Sequence, residues 1–147
     1  VRSTISILVP MTTATRSSTT RVLALAVALD IVLVLVFAAI GRRSHAEGVT
    51  VGGTLSTAWP FLIGLAVGWV ATVALYRDKL APLLVLPTGV LVWVATVVGG
   101  MVVRRLIGEG TAVSFVVVAT VTLAVFLLGW RALVRIRTRG TERARRR

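Results

Sequence analysis

The sequence predicts an all-α fold, a four-helix transmembrane bundle with both chain ends on the cytoplasmic side (N-in/C-in). Three observations carry it. Hydrophobic residues make up 56% of the 147-residue chain, above the roughly 45–50% of soluble domains, and they come in blocks rather than alternating. Four blocks are long enough to cross a hydrocarbon core, which takes about 20 apolar residues. The formal charge of +12 gathers between and after those blocks, where membrane proteins collect arginine on the cytoplasmic side.

Composition excludes several chemistries. The chain has no cysteine, so a disulfide framework, a thiolate zinc site, an iron–sulfur cluster and a cysteine nucleophile are ruled out. A single histidine, His45, rules out a His-rich metal site. No metal, no cofactor and no enzymatic activity are expected.

Residues 1–20 are polar and rich in Ser and Thr, and are predicted to be a disordered tail. Val1 is an unusual first residue, and Met11, followed by TTATRSSTT, is the alternative start of translation. The transmembrane domain is placed at 21–133. Its first helix, about 22–40, follows Arg21 as a secretory signal would. It is longer than the roughly 7–15 apolar residues of a signal core and carries Asp30, so it is assigned to the bundle. The Gly/Ser/Thr-rich segment 41–57 makes the longest loop. The second helix is placed at about 58–76, with Trp59 at the interface and Pro60 in the first turn, where the missing N–H is harmless. A tight turn, RDKLAP, precedes the third helix, about 83–103, in which Pro87 marks a kink or a start near Thr88. The fourth helix, about 111–130, is rich in β-branched residues, and a basic cytoplasmic tail, 134–147, follows.

Four spans put both ends and the RDKLAP turn on one side. That side holds thirteen Lys and Arg residues, eight of them from Arg131 to Arg147, and the other holds Arg42, Arg43, Arg104 and Arg105. The positive-inside rule makes the first side cytoplasmic and the protein a multi-pass component of the plasma (cytoplasmic) membrane.

Helix neighbours recur every three or four residues, and small or polar residues follow that spacing. The rows are Pro60, Gly64, Gly68, Thr72 and Tyr76 in the second helix, and Gly89, Trp93, Thr96, Gly100 and Arg104 in the third. The first helix aligns Asp30, Val34, Ala38 and Gly41, and the fourth Thr111, Ser114, Thr122 and Gly129. Gly64, Gly68 and Gly100 are the expected packing positions, because small residues let membrane helices approach closely. A pore lining is the competing interpretation.

Asp30 is the one carboxylate placed inside the bilayer. At the centre of an inserted helix it costs roughly 2.5–3.5 kcal/mol and must face the bundle. Twelve residues of helix, roughly 18 Å, separate it from Arg42, and no cation is placed within the spans. It is therefore expected to be neutral, or near proton exchange, with Trp93, Thr96, Thr120 and Thr122 as the polar-core or relay partners. A relay and a structural hydrogen bond stand here as equal alternatives.

Arg42, Arg43, His45, Arg104 and Arg105 form a predicted outer basic cluster. Arginine forks suit phosphate and carboxylate, so an anion or lipid-headgroup site is one interpretation. Partial neutralisation by Glu47 and Glu109, with the rest snorkelling to headgroups, is the other. The basic tail is explained by an anionic leaflet at about 1 kcal/mol per residue, and no aromatic interleaving supports nucleic acid as a partner. Gly108-Glu109-Gly110 lacks the Gly-Lys-Ser/Thr of a phosphate loop. Ser114 and His45 lack a third group to make a catalytic set.

The segments FAAIGRRSH (37–45), TAWPFLIGLAVGW (57–69), GVLVWVATVVGG with Arg104 (89–104) and TAVSFVVVAT with GWRAL (111–133) together resemble a prokaryotic family of four-span membrane proteins, a domain of unknown function numbered thirty fifty-four. The resemblance implies four membrane helices and brings no activity or assigned site. Two functions stand on the residues. One is a non-enzymatic accessory or structural membrane component that binds a lipid, an anionic headgroup, a protein partner or a second copy of itself. The other is a small transporter or channel with Asp30 as relay.

Overall fold

Four helices follow one another along the chain: α1 (Thr12–Ser44), α2 (Val51–Leu75), α3 (Val90–Leu106) and α4 (Val113–Arg145). The structure, a computed structural model, describes residues 12–44, 49–77 and 79–145. Lipid offers the backbone no partner, so each span closes its hydrogen bonds within itself as a helix. The stretches apolar enough to cross a membrane are Ser18–Arg43, Val51–Leu75, Val85–Leu106 and Val113–Thr141. We call the end of the bundle that holds Ser18, Leu84 and Arg131 proximal, and the end that holds Arg42, Ser56, Arg104 and Ser114 distal.

The helices extend past the predicted boundaries. α1 is helical from Thr12, so the segment predicted as disordered over 1–20 is helical in its second half; Met11 lies outside the described residues. α2 starts at Val51, where the Thr50 hydroxyl accepts the Gly53 N–H at 3.1 Å. Pro60 therefore sits inside the helix rather than in its first turn. α4 continues to Arg145, which makes helix of most of the predicted tail. Hydropathy marks where a chain leaves lipid, whereas Arg, Ser and Thr beyond that point still accept helical geometry. α3 departs in the opposite direction. Leu86, ahead of Pro87, is extended (φ −117°, ψ 133°), the conformation a following proline imposes. A wide turn over Val85–Gly89 results, closed by Gly89 N–H to the Leu84 carbonyl at 3.0 Å, and regular helix begins at Val90.

Each helix turns one row inward. The rows are Ala26, Asp30, Val34 and Ala38 on α1, and Pro60, Gly64, Gly68 and Thr72 on α2. α3 contributes Val92, Thr96 and Gly100; α4 contributes Ala119, Leu123, Leu127 and Arg131. The α4 row corrects the predicted one: Thr111, Ser114, Thr122 and Gly129 lie off the buried face, which is aliphatic until it ends in arginine. Leu25, Val32 and Val36 on α1, and Val121 and Val125 on α4, face outward and exposed, as lipid-facing positions do.

α2 and α3 meet backbone to backbone. A Cβ on Gly64 would stand 2.7 Å from the Ala95 and Thr96 carbonyl oxygens, and one on Gly99 would stand 2.7 Å from the Gly64 Cα. Gly68 lies against Val92 and Ala95, and the Phe61 ring covers Gly100. Such contact gains dispersion energy where lipid removes the hydrophobic drive between helices. Gly64→Ala is therefore expected to destabilise the bundle by about 1–3 kcal/mol, as overpacking does. Gly129→Ala, in open space, should be neutral or stabilising by up to ~1 kcal/mol. Unfolding of the two variants by SDS titration, followed by circular dichroism, checks this; equal effects would disprove the close contact.

Candidate functional site

Asp30 and Arg131, both fully buried, form a bidentate ion pair. Arg131 Nη1 donates to Oδ1 at 2.9 Å and Nη2 to Oδ2 at 2.7 Å. The Trp130 indole donates to Oδ1 at 2.9 Å and the Trp69 indole to Oδ2 at 3.1 Å, so each carboxylate oxygen receives two donors. Arg131 also donates from Nη1 to the Leu127 carbonyl at 2.7 Å and from Nε to the Pro82 carbonyl at 3.2 Å. Its guanidinium carbon lies 4.5 Å from the Trp130 ring centroid and 5.6 Å from that of Trp69, within cation–π range. Gly89 makes the space: a Cβ there would fall 2.9 Å from Arg131 Cδ.

This arrangement corrects two expectations. A cation lies within the candidate spans, since Arg131, just past the predicted end of the fourth helix, belongs to the buried row of α4. Among the described residues, every polar group that meets the Asp30 carboxyl donates to it. The predicted partners also lie elsewhere. Trp93 donates to the Thr120 carbonyl at 3.1 Å; the Thr96 and Thr120 hydroxyls turn back onto Val92 and Val116 of their own helices at 2.7 Å. Thr122 is half-buried beside the inward row of α4. Sequence reasoning missed Trp69, Trp130 and Arg131. The available signal was the spacing of Ala119, Leu123, Leu127 and Arg131, one residue every four.

At the distal end a cavity of about 590 Å³ opens among the ends of all four helices. Phe37, Ala38, Phe115 and Val118 supply its apolar wall; Arg42, Ser56, Thr57, Arg104, Glu109 and Ser114 supply polar groups. Of the predicted basic cluster, Arg42 and Arg104 line this cavity, Arg43 and Arg105 are outside its lining, and His45 lies outside the described residues. The Arg104 guanidinium stacks on Phe115 at 4.4 Å and donates to the Gly110 carbonyl at 3.1 Å. Its ion-pair partner is Glu109.

Local backbone geometry makes that pair. After α3, Gly108 adopts φ +79°, and the Gly108 and Glu109 amides donate to the Arg105 and Arg104 carbonyls. This is a Schellman closure, which favours glycine because a side chain resists positive φ. It folds Glu109 back over Arg104.

A buried ion pair is most costly when only one partner is removed. Arg131→Met alone is expected to destabilise the bundle by about 3–5 kcal/mol, and Asp30→Leu with Arg131→Met to recover more than half of that. An SDS-titration double-mutant cycle measures the coupling. Additive single costs would disprove it.

Residues 27–134 match the family described as "Protein of unknown function (DUF3054)". No curated protein and no solved structure matches the chain. With a family match over most of its length and four helices long and apolar enough to cross a membrane, the chain belongs to the DUF3054 family and is a multi-pass membrane protein.

Proposed function

We propose that this protein is a non-enzymatic component of the plasma (cytoplasmic) membrane, oriented N-in/C-in, that holds a lipid or a membrane-protein partner. The observation that carries the proposal is the distal cavity. Its apolar wall and arginine-bearing polar side suit retention of an amphiphilic group, and its size falls within the roughly 300–1,000 Å³ of ligand pockets. The closed Asp30–Arg131 pair weighs against the relay alternative. A relay carboxylate must exchange its proton with water or another acceptor, and this one is fully buried among four donors. The exposed arginines toward the C-terminal end of α4, Arg135, Arg137 and Arg139, fit an anionic cytoplasmic leaflet and support the proposed orientation.

Native mass spectrometry of the full chain, extracted gently from its own membrane, tests the proposal. The expected result is a stoichiometric lipid or protein partner whose retention falls when Arg42 and Arg104 are replaced by Gln. A proton or ion flux in reconstituted vesicles, abolished by Asp30→Asn with assembly intact, would establish the relay instead.

A further inference from the structure

We propose that the distal cavity takes a zwitterionic head group between Arg104 and Glu109, with its anionic oxygens on the arginine and its ammonium on the glutamate. The inference rests on the cavity being a holding site and names what it holds. Among the described residues, the charged side chains that line the cavity are Arg42, Arg104 and Glu109. Arg42 already has an interaction partner, and its guanidinium lies across Gly53, where a Cβ would stand 2.5 Å from Cζ. The charge that remains to meet a ligand is one cation against one anion.

Neither member of that pair is fully satisfied. Arg104 Nε is buried and finds no hydrogen-bond acceptor among the described residues. Glu109 Oε2 is ion-paired with Arg104 but has no donor aligned on it. A buried donor and a buried acceptor in this condition call for partners, and their demands are opposite in kind. A ligand that meets both carries an acceptor and a donor. Hydrogen bonds between charged groups are the strong ones, which favours an anionic acceptor and a cationic donor. Such a ligand has no net charge and keeps the site neutral.

The local anchoring shows how the head group enters. Arg104 is held in place by Phe115, whose ring centroid lies 4.4 Å from the guanidinium carbon, and by its bond to the Gly110 carbonyl. Glu109 is fixed by its backbone through the Schellman closure at Gly108, and its side chain is 39% exposed. The carboxylate therefore swings while the guanidinium stays. One poorly aligned internal pair is then exchanged for two pairs with the ligand, and neither charge is left bare. The arginine fork matches the paired oxygens of a phosphate, and the carboxylate accepts only from a group that bears hydrogen, so a primary ammonium fits and a quaternary one does not. Phe37, Phe115 and Val118 suit an apolar chain attached to the head. A lipid bearing phosphoethanolamine and free phosphoethanolamine share this chemistry.

The test is binding to the full chain in neutral-detergent micelles, with the dioctanoyl forms of phosphatidylethanolamine, phosphatidylcholine and phosphatidylglycerol as probes beside free phosphoethanolamine. Phosphatidylethanolamine is expected to bind saturably and about tenfold or more tighter than the other two lipids, the scale of one charged hydrogen bond. Glu109→Gln should reduce that preference to about threefold or less, and Arg104→Gln should weaken all three lipids about tenfold. Tighter binding of the lipid than of free phosphoethanolamine assigns the source to lipid, and equal binding assigns it to the soluble compound; either upholds the site. Phosphatidylethanolamine binding no tighter than either other lipid, a preference unchanged in Glu109→Gln, or an affinity unchanged in Arg104→Gln overturns the zwitterion inference while leaving a holding cavity. Absence of binding by every probe overturns both. Should either variant fail to fold, the ranking of the three lipids on the unaltered chain decides.

Discussion

A carboxylate and a guanidinium are both costly to take out of water, and their attraction offsets that cost only when geometry is good and every remaining donor and acceptor finds a partner. The Asp30–Arg131 pair comes within one proton of those conditions. Both carboxylate oxygens are doubly satisfied, and two of the guanidinium's three other protons go to the Leu127 and Pro82 carbonyls. The partners come from α1, α2, the link ahead of α3, and α4, with Gly89 at the mouth of α3 shaped to admit the arginine. Apolar packing in lipid specifies relative position weakly, since one aliphatic face resembles another. A bidentate pair has one geometry, and it fixes how the four elements meet at the proximal end.

Two different kinds of contact thus divide the bundle. α2 and α3 form a close-packed unit through Gly64, Gly68, Gly99 and Gly100, while α1 and α4 are tied to it by the polar clasp. At the distal end the larger side chains Phe37, Phe115, Arg42 and Arg104 stand around a cavity. The distribution of polar groups follows: those near the proximal end hold helices together, and those at the distal end line the cavity. The Trp93–Thr120 bond adds a smaller tie between α3 and α4.

Much of this was legible in the residues themselves. Block hydropathy located four membrane helices, and the four-residue recurrence of glycine in α2 pointed to the face that meets α3. The demand that Asp30 face inward followed from its charge alone. What escaped were the groups whose role depends on three-dimensional closure. Arg131 follows an apolar run, and an arginine there ordinarily ends a span. Only its alignment with Leu123 and Leu127 distinguishes it from Arg135 or Arg137. The boundaries of α1, α2 and α4 escaped because helix continues through polar sequence once a neighbouring span has nucleated it. The cavity was half visible: Arg42 and Arg104 were grouped from topology, but the role of Glu109 required the positive φ of Gly108 to turn the chain back.

The separation of the clasp partners along the chain bears on biogenesis. Asp30 and Arg131 are 101 residues apart, and a ribosome adds about 5–20 residues per second. For roughly 5–20 s after Asp30 is made, its counter-ion does not exist. During that interval α1 cannot rest in lipid as a finished helix without exposing a bare carboxylate or remaining shielded by the insertion machinery. A chain that ends before α4 therefore lacks the counter-ion of the carboxylate in its first span.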